Sequence, residues 1–547
     1  MVKKYLSDLR KEFKGYNFKF FSSDFMAGLT VAAVALPLAL AFGVSSGADA
    51  AAGLITAIIA GLVIGLLSGG SYQISGPTGA MTAILLAISA KFGIQGVFFA
   101  GLISGIILIL AAVFKVGKLV SFIPTAVITG FTSGIAIIIA LGQIDNFFGI
   151  KSEGESAIQK ILSYGKLGFN PNMYAIMFGV MVLLIMIFYP KKLNEKLPAS
   201  LAAIIITLVV QLIFKFDVKE VGEIPKTLFP ENRFILSSIE LDKIKDMLSP
   251  AFSIAALGMI ESLLCGASAG KSKNEKLDSK RELVAQGIGN IIIPFFGGVP
   301  ATAAIARTSV AIKSGGKTRL VSIIHSLFLI LTMFLLGPIM SHIPLSALAG
   351  VLVMTAWKMN EWHEIKNIFN KKLKLSSRQF ILTMISTVVF DLTIAILIGV
   401  IFSMFIFILK SSELTVEISD VDTEKLEQAG VITEANHEKT KLVYLTGPLF
   451  FGTQEKLPAV LKELKKNNAI VFSMRGVPII DDSAIGELDA IYDYCKKKNI
   501  ILLFCGVQPR VKATMARAGF VDKISEKRFC WDAIEAIKII EKKLISN

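Results

Sequence analysis

The chain has 547 residues, 53% of them hydrophobic and only 18% charged, with a mean hydropathy of +0.66. A soluble globular domain has no use for that much apolar surface, and apolar stretches such as 25–44 and 380–409 reach or exceed the roughly 20 residues needed to cross a bilayer. The formal net charge of +15 excludes less than it suggests, because its placement reads as membrane topology rather than nucleic-acid binding.

In chain order, spans are expected at 25–45, 50–68, 78–91, 94–114, 119–143, 173–189 and 199–216. A second series is expected at 250–270, 283–298, 301–314, 319–337, 344–357, 377–392 and 394–410. The first span does not read as a cleavable signal, since it continues into a second span with no small-residue cleavage site after a short apolar core. Two segments, 78–91 and 301–314, are too short to cross, at about 21 Å of helix each. Each follows an irregular stretch, SGPTGA around Pro77 and GGVPATA around Pro300.

Those stretches occupy matching places in two halves. Downstream, FIPTAVITGF (122–131) parallels HIPLSALAGV (342–351), with an Ile-Pro and a glycine six residues after each proline. The separation from Pro77 to Pro124 is 47 residues and from Pro300 to Pro344 is 44. Seven spans is an odd number, so the second copy is expected to be inverted in the membrane. Inverted repeats with interrupted helices in corresponding positions mark a transporter with its site at the midplane.

Six Lys/Arg lie in residues 1–19, and further clusters include Lys191, Lys192 and Lys196, residues 271–281, 313–319 and 358–378. With fourteen spans and the N-terminal segment inside, all are cytoplasmic, as the positive-inside rule requires. The outer loops expected at 144–172 and 215–248 balance lysine with Asp and Glu. After Lys410 the character changes: 442–447, 469–474 and 500–506 read as strands, and 452–466, 482–497, 508–518 and 532–545 as helices. That is a small α/β domain with a mixed sheet, joined by a polar linker near 421–441.

Cys265, Cys495, Cys505 and Cys530 form no CxxC pair or metal-ligand spacing, so neither disulfides nor zinc are expected. GASAGKS (266–272) and SGGKT (314–318) lack the upstream glycine of a nucleotide-binding loop, at Cys265 and Ala311. No catalytic constellation is present, so an enzyme is not expected and no cofactor is implied.

The stretches FMAGLTVAAVALPLALAFG, SGPTGAMTA, ALGMIESLLCGASAG, ELVAQGIGNIIIPFFGGVPATAAIARTSV and IPLSALAGVLVMTAW resemble the SulP, or sulfate permease, family of anion transporters. The C-terminal domain resembles a STAS domain. The resemblance implies fourteen spans in a 7+7 inverted repeat with core and gate domains, usually a homodimer, in the cytoplasmic membrane. It implies residues 1–24 as a cytoplasmic tail, 25–410 as the transport domain (repeats 25–217 and 250–410) and 413–547 as a cytoplasmic STAS domain. It also implies secondary transport of a small anion such as sulfate, bicarbonate or a dicarboxylate.

An anion at the midplane needs positive potential without many buried charges, which two facing helix N-termini supply. Gly76, Thr78, Gly79 and Ala80 are expected on one side of the anion and Ala301, Thr302 and Ala303 on the other. An arginine at mid-bilayer is costly in lipid; the resemblance places Arg307 near the pocket, and the alternative is bonding to carbonyls near the cytoplasmic end. Glu261, the sole carboxylate within 250–270, is the expected coupling-ion residue, as a proton carrier or a Na+ ligand, with a structural pair to Arg307 as the alternative. Many relatives carry Gln or Glu just after the first-span proline; here Leu38 stands there, removing one hydrogen-bonding group. VPIIDDSAIGELDAI (477–491) resembles the STAS signature loop, with Asp482-Ser483 opening a helix. Ser483 is the candidate regulatory phosphorylation site, with plain helix capping as the alternative and a regulatory protein as the implied partner. The readings that remain open are H+- or Na+-coupled uptake by an elevator-like step, an uncoupled exchanger or channel, and a membrane-anchored signalling protein.

Overall fold

The computed structural model describes residues 2–117, 123–153, 157–194, 197–235, 244–390, 392–411, 414–428, 437–453, 457 and 467–545. The chain divides into two units, Met1–Ile401 and Phe402–Asn547. The boundary falls inside the last apolar helix, a few residues before the change of character at Lys410.

The first unit is helical. It runs α1 (Val2–Glu12), α2 (Phe18–Ser45), α3 (Ala50–Leu67), β1 (Ser75–Gly76), α4 (Gly79–Val113), α5 (Thr125–Gly142), α6 (Ile144–Phe148) and α7 (Ala157–Leu167). Then follow α8 (Met173–Phe188), α9 (Lys191–Asn194), α10 (Ala199–Phe214), α11 (Ile244–Lys273), α12 (Ser279–Ile292), β2 (Thr302–Ala303) and α13 (Ile305–Lys313). The unit closes with α14 (Leu320–Met340), α15 (Leu345–Met359), α16 (Trp362–Asn370), α17 (Lys374–Val389) and α18 (Leu392–Ser411). Among the described residues six helices are long and apolar enough to cross a membrane, including α2, α3 and α14, and 173–188, 199–214 and 397–410 are shorter apolar helices.

The expected spans and the observed helices agree closely, with informative exceptions. Expected 78–91 and 94–114 form one element, α4, broken at Gly93 by a φ of 70°. Expected 301–314 begins only at Ile305, because Thr302 and Ala303 are drawn into a strand pairing. Expected 119–143 begins at Thr125, with Pro124 as its N-cap, and 118–122 lie outside the described residues. The outer loop 144–172 contains α6 and α7, and α1 and α16 were not anticipated.

Packing falls into two sets. α2, α3, α4, α11, α12, α13 and α14 pack among themselves, and α5, α8, α10, α15 and α17 do likewise; the sets meet where α15 and α10 touch α2 and where α5 touches α4. The contacts come in exchanged pairs. α5 packs on α17 and α15 packs on α8, while α4 packs on α11 and α12 and α14 packs on α2 and α3. α5 and α15 both start at the proline of an Ile-Pro pair. The glycine six residues on allows close approach in each. A Cβ on Gly130 would lie 2.5 Å from the Phe380 carbonyl oxygen, and one on Gly350 2.9 Å from that of Gly179.

At the polar ends, side chains stop the helices. Asn17, Asp49, Asn172 and Asp278 accept from first-turn N–H groups of α2, α3, α8 and α12. α1 lies across the starts of α12 and α14 and the end of α3. Lys4, Asp8 and Glu12, four residues apart and so on one helical face, bind Asp278 (2.6 Å), Arg281 (2.7 Å) and Arg319 (2.8 Å). Both arginines also stack on Tyr5, each 5.6 Å from its ring centre. The Tyr5 hydroxyl donates to the Leu66 carbonyl at the end of α3.

The second unit carries a five-stranded sheet in sequence order: β3 (Thr415–Asp420), β4 (Thr440–Thr446), β5 (Ala469–Gly476), β6 (Ile501–Cys505) and β7 (Phe529–Cys530). β3 and β4 are antiparallel and the rest parallel. The central strands read as unbroken apolar runs because both faces are covered. Val443, Phe472 and Phe504 pack on one face with helix Asp482–Lys497, and Leu442, Val471 and Leu503 on the other with helix Ala533–Ile545. Most of the helix expected at 452–466 and part of the linker at 421–441 lie outside the described residues.

Candidate functional site

The two irregular stretches meet. β1 and β2 form an antiparallel ladder in which Ser75 faces Ala303 and Gly76 faces Thr302. α4 starts on one side of this ladder and α13 on the other. Thr78 is the N-cap of α4 and Ala304 that of α13, and neither helix start receives a side-chain capping bond. Their first-turn N–H groups are therefore left to other acceptors. Unlike the Asn- and Asp-capped ends above, these starts lie in the chain's most apolar segments, where irregular backbone is tolerated only if it is buried in protein or lines a water-filled cavity.

α11 brackets the ladder. The Thr78 hydroxyl donates to the Glu261 carboxylate at 2.9 Å, and the Thr302 hydroxyl donates to the Gly258 carbonyl at 3.1 Å. Gly258 and Glu261 are three residues apart, so both threonines grip one face of one helix. Thr78 is 8% exposed and Thr302 fully buried. Glu261 takes its hydrogen bond from Thr78, and among the described residues no ion pair joins it to Arg307.

Arg307 is buried, and its Nη2 donates to the Pro77 carbonyl at 2.7 Å. It thus reaches from the first turn of α13 to the bend before α4. Gly76 leaves room for it, because a Cβ at that position would meet Arg307 Nη1 and force the guanidinium to move.

The sequence missed the residue that shapes the second bend. Asn290, fully buried on α12, accepts from the Ala301 N–H at 2.8 Å and donates to the Ala301 carbonyl at 2.9 Å. The Ala301 N–H is therefore spent, and the Ala304 N–H is taken by the Ile74 carbonyl at 2.8 Å. In the first turn of α13, Ile305 and Ala306 are exposed, Ile305 at 48%. An asparagine within the otherwise apolar run GIGNIII was the available clue. Below it, Glu282 accepts from Ser68 Oγ (2.7 Å), the Gly69 N–H (2.9 Å) and Gln286 Nε2 (2.8 Å), and Gln286 also donates to Ser75 Oγ (2.9 Å).

Gly79 and Ala80 are buried in the first turn of α4. A Cβ on Gly79 would press on Phe42 of α2 and Ile139 of α5, so this turn lies where the two packing sets meet. Leu38, one residue beyond Pro37 of α2, is buried in the same apolar core. In the second unit Asp481, rather than Asp482, caps the signature-loop helix by accepting from the Ala484 N–H at 2.9 Å. Ser483 is exposed in its first turn. Among the described residues no group of three or more His, Cys, Asp or Glu could hold a metal.

The family model described as the sulfate permease family matches residues 21–386, and that of the STAS domain matches 432–535. The chain is 36% identical over 528 residues to a putative sulfate transporter, YvdB, of Bacillus subtilis, covering 94% of this chain and 97% of that one. It is 28% identical to the bicarbonate transporter BicA of Picosynechococcus, covering 95% of each. The fold matches that of murine solute carrier 26 family member A9, an anion transporter in its inward-facing state, with a TM-score of 0.84 and 18% identity over 98% of this chain and 94% of that one.

Proposed function

Because this chain belongs to the sulfate permease family, we propose that it is a secondary transporter of a small inorganic oxyanion, sulfate first and bicarbonate next, across the cytoplasmic membrane. The observation that carries the reading is the pair of uncapped helix starts joined by the β1–β2 ladder, with Thr78 and Thr302 held on one face of α11. Peptide dipoles and the Arg307 guanidinium supply the positive field. Gly76, Thr78, Gly79 and Ala80 line one side, and Thr302, Ala303 and the first turn of α13 line the other. Ala301 serves by shaping the bend through Asn290.

Glu261 is the coupling residue of this proposal. Its carboxylate, the Gly258 carbonyl and the two threonine hydroxyls are hard oxygen donors suited to Na+ or a proton. Coupling has an energetic reason, since an inside-negative potential opposes anion uptake by about 2.3 kcal/mol per charge per 100 mV. The exchanged packing pairs and the matched Pro124 and Pro344 starts support a fourteen-span, 7+7 inverted repeat. The two packing sets would then be the core and gate domains of an elevator-like step, each of a homodimer's subunits carrying its own site. Ser483, exposed at a helix start, is the place for phosphate control or a regulatory partner at the STAS domain.

Uptake of sulfate, bicarbonate, succinate, nitrate and chloride into proteoliposomes, with imposed pH or Na+ gradients, tests the reading. Accumulation of one oxyanion driven by one gradient supports it. Equal flux with no gradient dependence would favour an uncoupled exchanger or channel, and accumulation of succinate a dicarboxylate carrier.

A further inference from the structure

Behind the ladder, several fully buried polar atoms have no hydrogen-bond partner in the protein. They are Arg307 Nη1, both ring nitrogens of His325, and the side-chain oxygens of Gln73 and Gln286. Buried polar atoms of native proteins are paired with protein or ordered water. The two glutamines flank β1, and the arginine and histidine stand against α3. Gln73 lies two residues before β1, and Gln286 bonds to Ser75. Arg307 Nη1 lies against Gly76, where an added Cβ would also come within 3.5 Å of the Ala57 Cα. His325 Nδ1 would lie 3.1 Å from a Cβ on Gly61. Ala57 and Gly61 are one turn apart on the same face of α3, about 6 Å along its axis. The guanidinium and the imidazole therefore face a shared gap, and they stand within electrostatic reach of each other.

The Ser322 carbonyl, one turn before His325 on α14, accepts from Ser326 Oγ at 3.0 Å. A small cavity lies one helical turn from both Arg307 and His325. It is lined by Gln73 and Ile74, by Ala311 one turn beyond Arg307, and by Ser322 one turn before His325.

We propose that Arg307, His325 and this cavity form one internal water site, in which ordered water accepts from Arg307 Nη1 and bonds to the His325 ring. His325 is then a positioning residue: through that water it holds the guanidinium against the Pro77 carbonyl and beneath Gly76. Water suits the place because it can accept from the arginine and still donate to the imidazole or to the glutamine oxygens.

Two measurements on the full-length protein test this, and neither depends on which anion is carried. A map that resolves water should show density within hydrogen-bonding distance of both Arg307 Nη1 and the His325 ring. Direct contact of both groups with protein atoms, or a gap without density, overturns the site. Thermal melting then tests the coupling. His325→Leu should lower the melting temperature by about 3 °C in the natural background and by less than about 1 °C beside Arg307→Met, since residues sharing a network are non-additive. His325→Gln, which keeps a donor and an acceptor, should recover most of the loss. Equal shifts in both backgrounds, or no recovery with Gln, would make His325 a packing residue and overturn its positioning role.

Discussion

The start of α4 is buried, and the carboxylate of Glu261 closes on its cap residue, Thr78. The start of α13 is open at Ile305 and Ala306, with Arg307 in its first turn and no carboxylate bonded to it among the described residues. Two segments that occupy equivalent places in the sequence thus differ at their ladder: one is bonded by a carboxyl group from α11, and the other carries its own guanidinium. In the function proposed above, this difference becomes a division of labour: α13 presents the anion with positive field, and α4 shares its threonine with a coupling cation.

The comparison breaks most severely at Gly76, which both sides need. Gly76→Ala puts a methyl group into Arg307 Nη1. It should cut initial uptake about a hundredfold, the scale set by displacing a binding group by an ångström. Uptake within a few-fold of normal would show that Arg307 need not lie there. Glu261→Gln separates the sides. Driven accumulation should vanish while anion exchange across the vesicle membrane persists. At −100 mV a monovalent anion left to equilibrate alone falls about fiftyfold below its outside concentration. Unchanged accumulation would remove Glu261 from coupling. A smaller effect is expected at Thr302→Val, which keeps the shape and loses the hydroxyl bonded to Gly258. KM for the transported anion should rise about fivefold, the worth of one hydrogen bond, and an unchanged KM would confine Thr302 to a backbone role.

The helix breaks were legible in the sequence because Gly and Pro announce them locally, and their matched places predicted that they belong together. What they touch was not legible. The bond from Thr78 to Glu261 spans 183 positions and that from Arg307 to Pro77 spans 230, and no local pattern encodes such a contact. The start of the second short helix was read four residues early because propensity cannot foresee a strand pairing with a partner 226 positions away (302 − 76). β3 and β7 were missed for a related reason: at the sheet edges they lack the apolar runs that mark strands covered on both faces. α1 was passed over as a basic tail, although Lys4, Asp8 and Glu12 already carried a four-residue period.

The smallest expected effect lies farthest from the ladder. Burial pushes the Asp278 carboxyl up, but the bonds from Lys4 and the Arg281 N–H outweigh it, and the group is held below its ordinary 3.8. A depressed carboxyl contributes stability above its unfolded value and loses it as pH falls through the lower folded one. The α1 contact should therefore be at full strength at neutral pH and fade only below about pH 4. Lys4→Ala, at an exposed pair, should leave melting unchanged within error at pH 7; a drop of several degrees would show that this single contact holds α1 in place.

Tyr5 and the three ion pairs fasten α1 to the ends of α3, α12 and α14, the helices that flank the ladder. Under the proposed elevator-like step, a spin label or fluorophore on the free side of α1 would travel with the proposed anion site. It would track that site's position from the aqueous side, with every pocket residue left untouched.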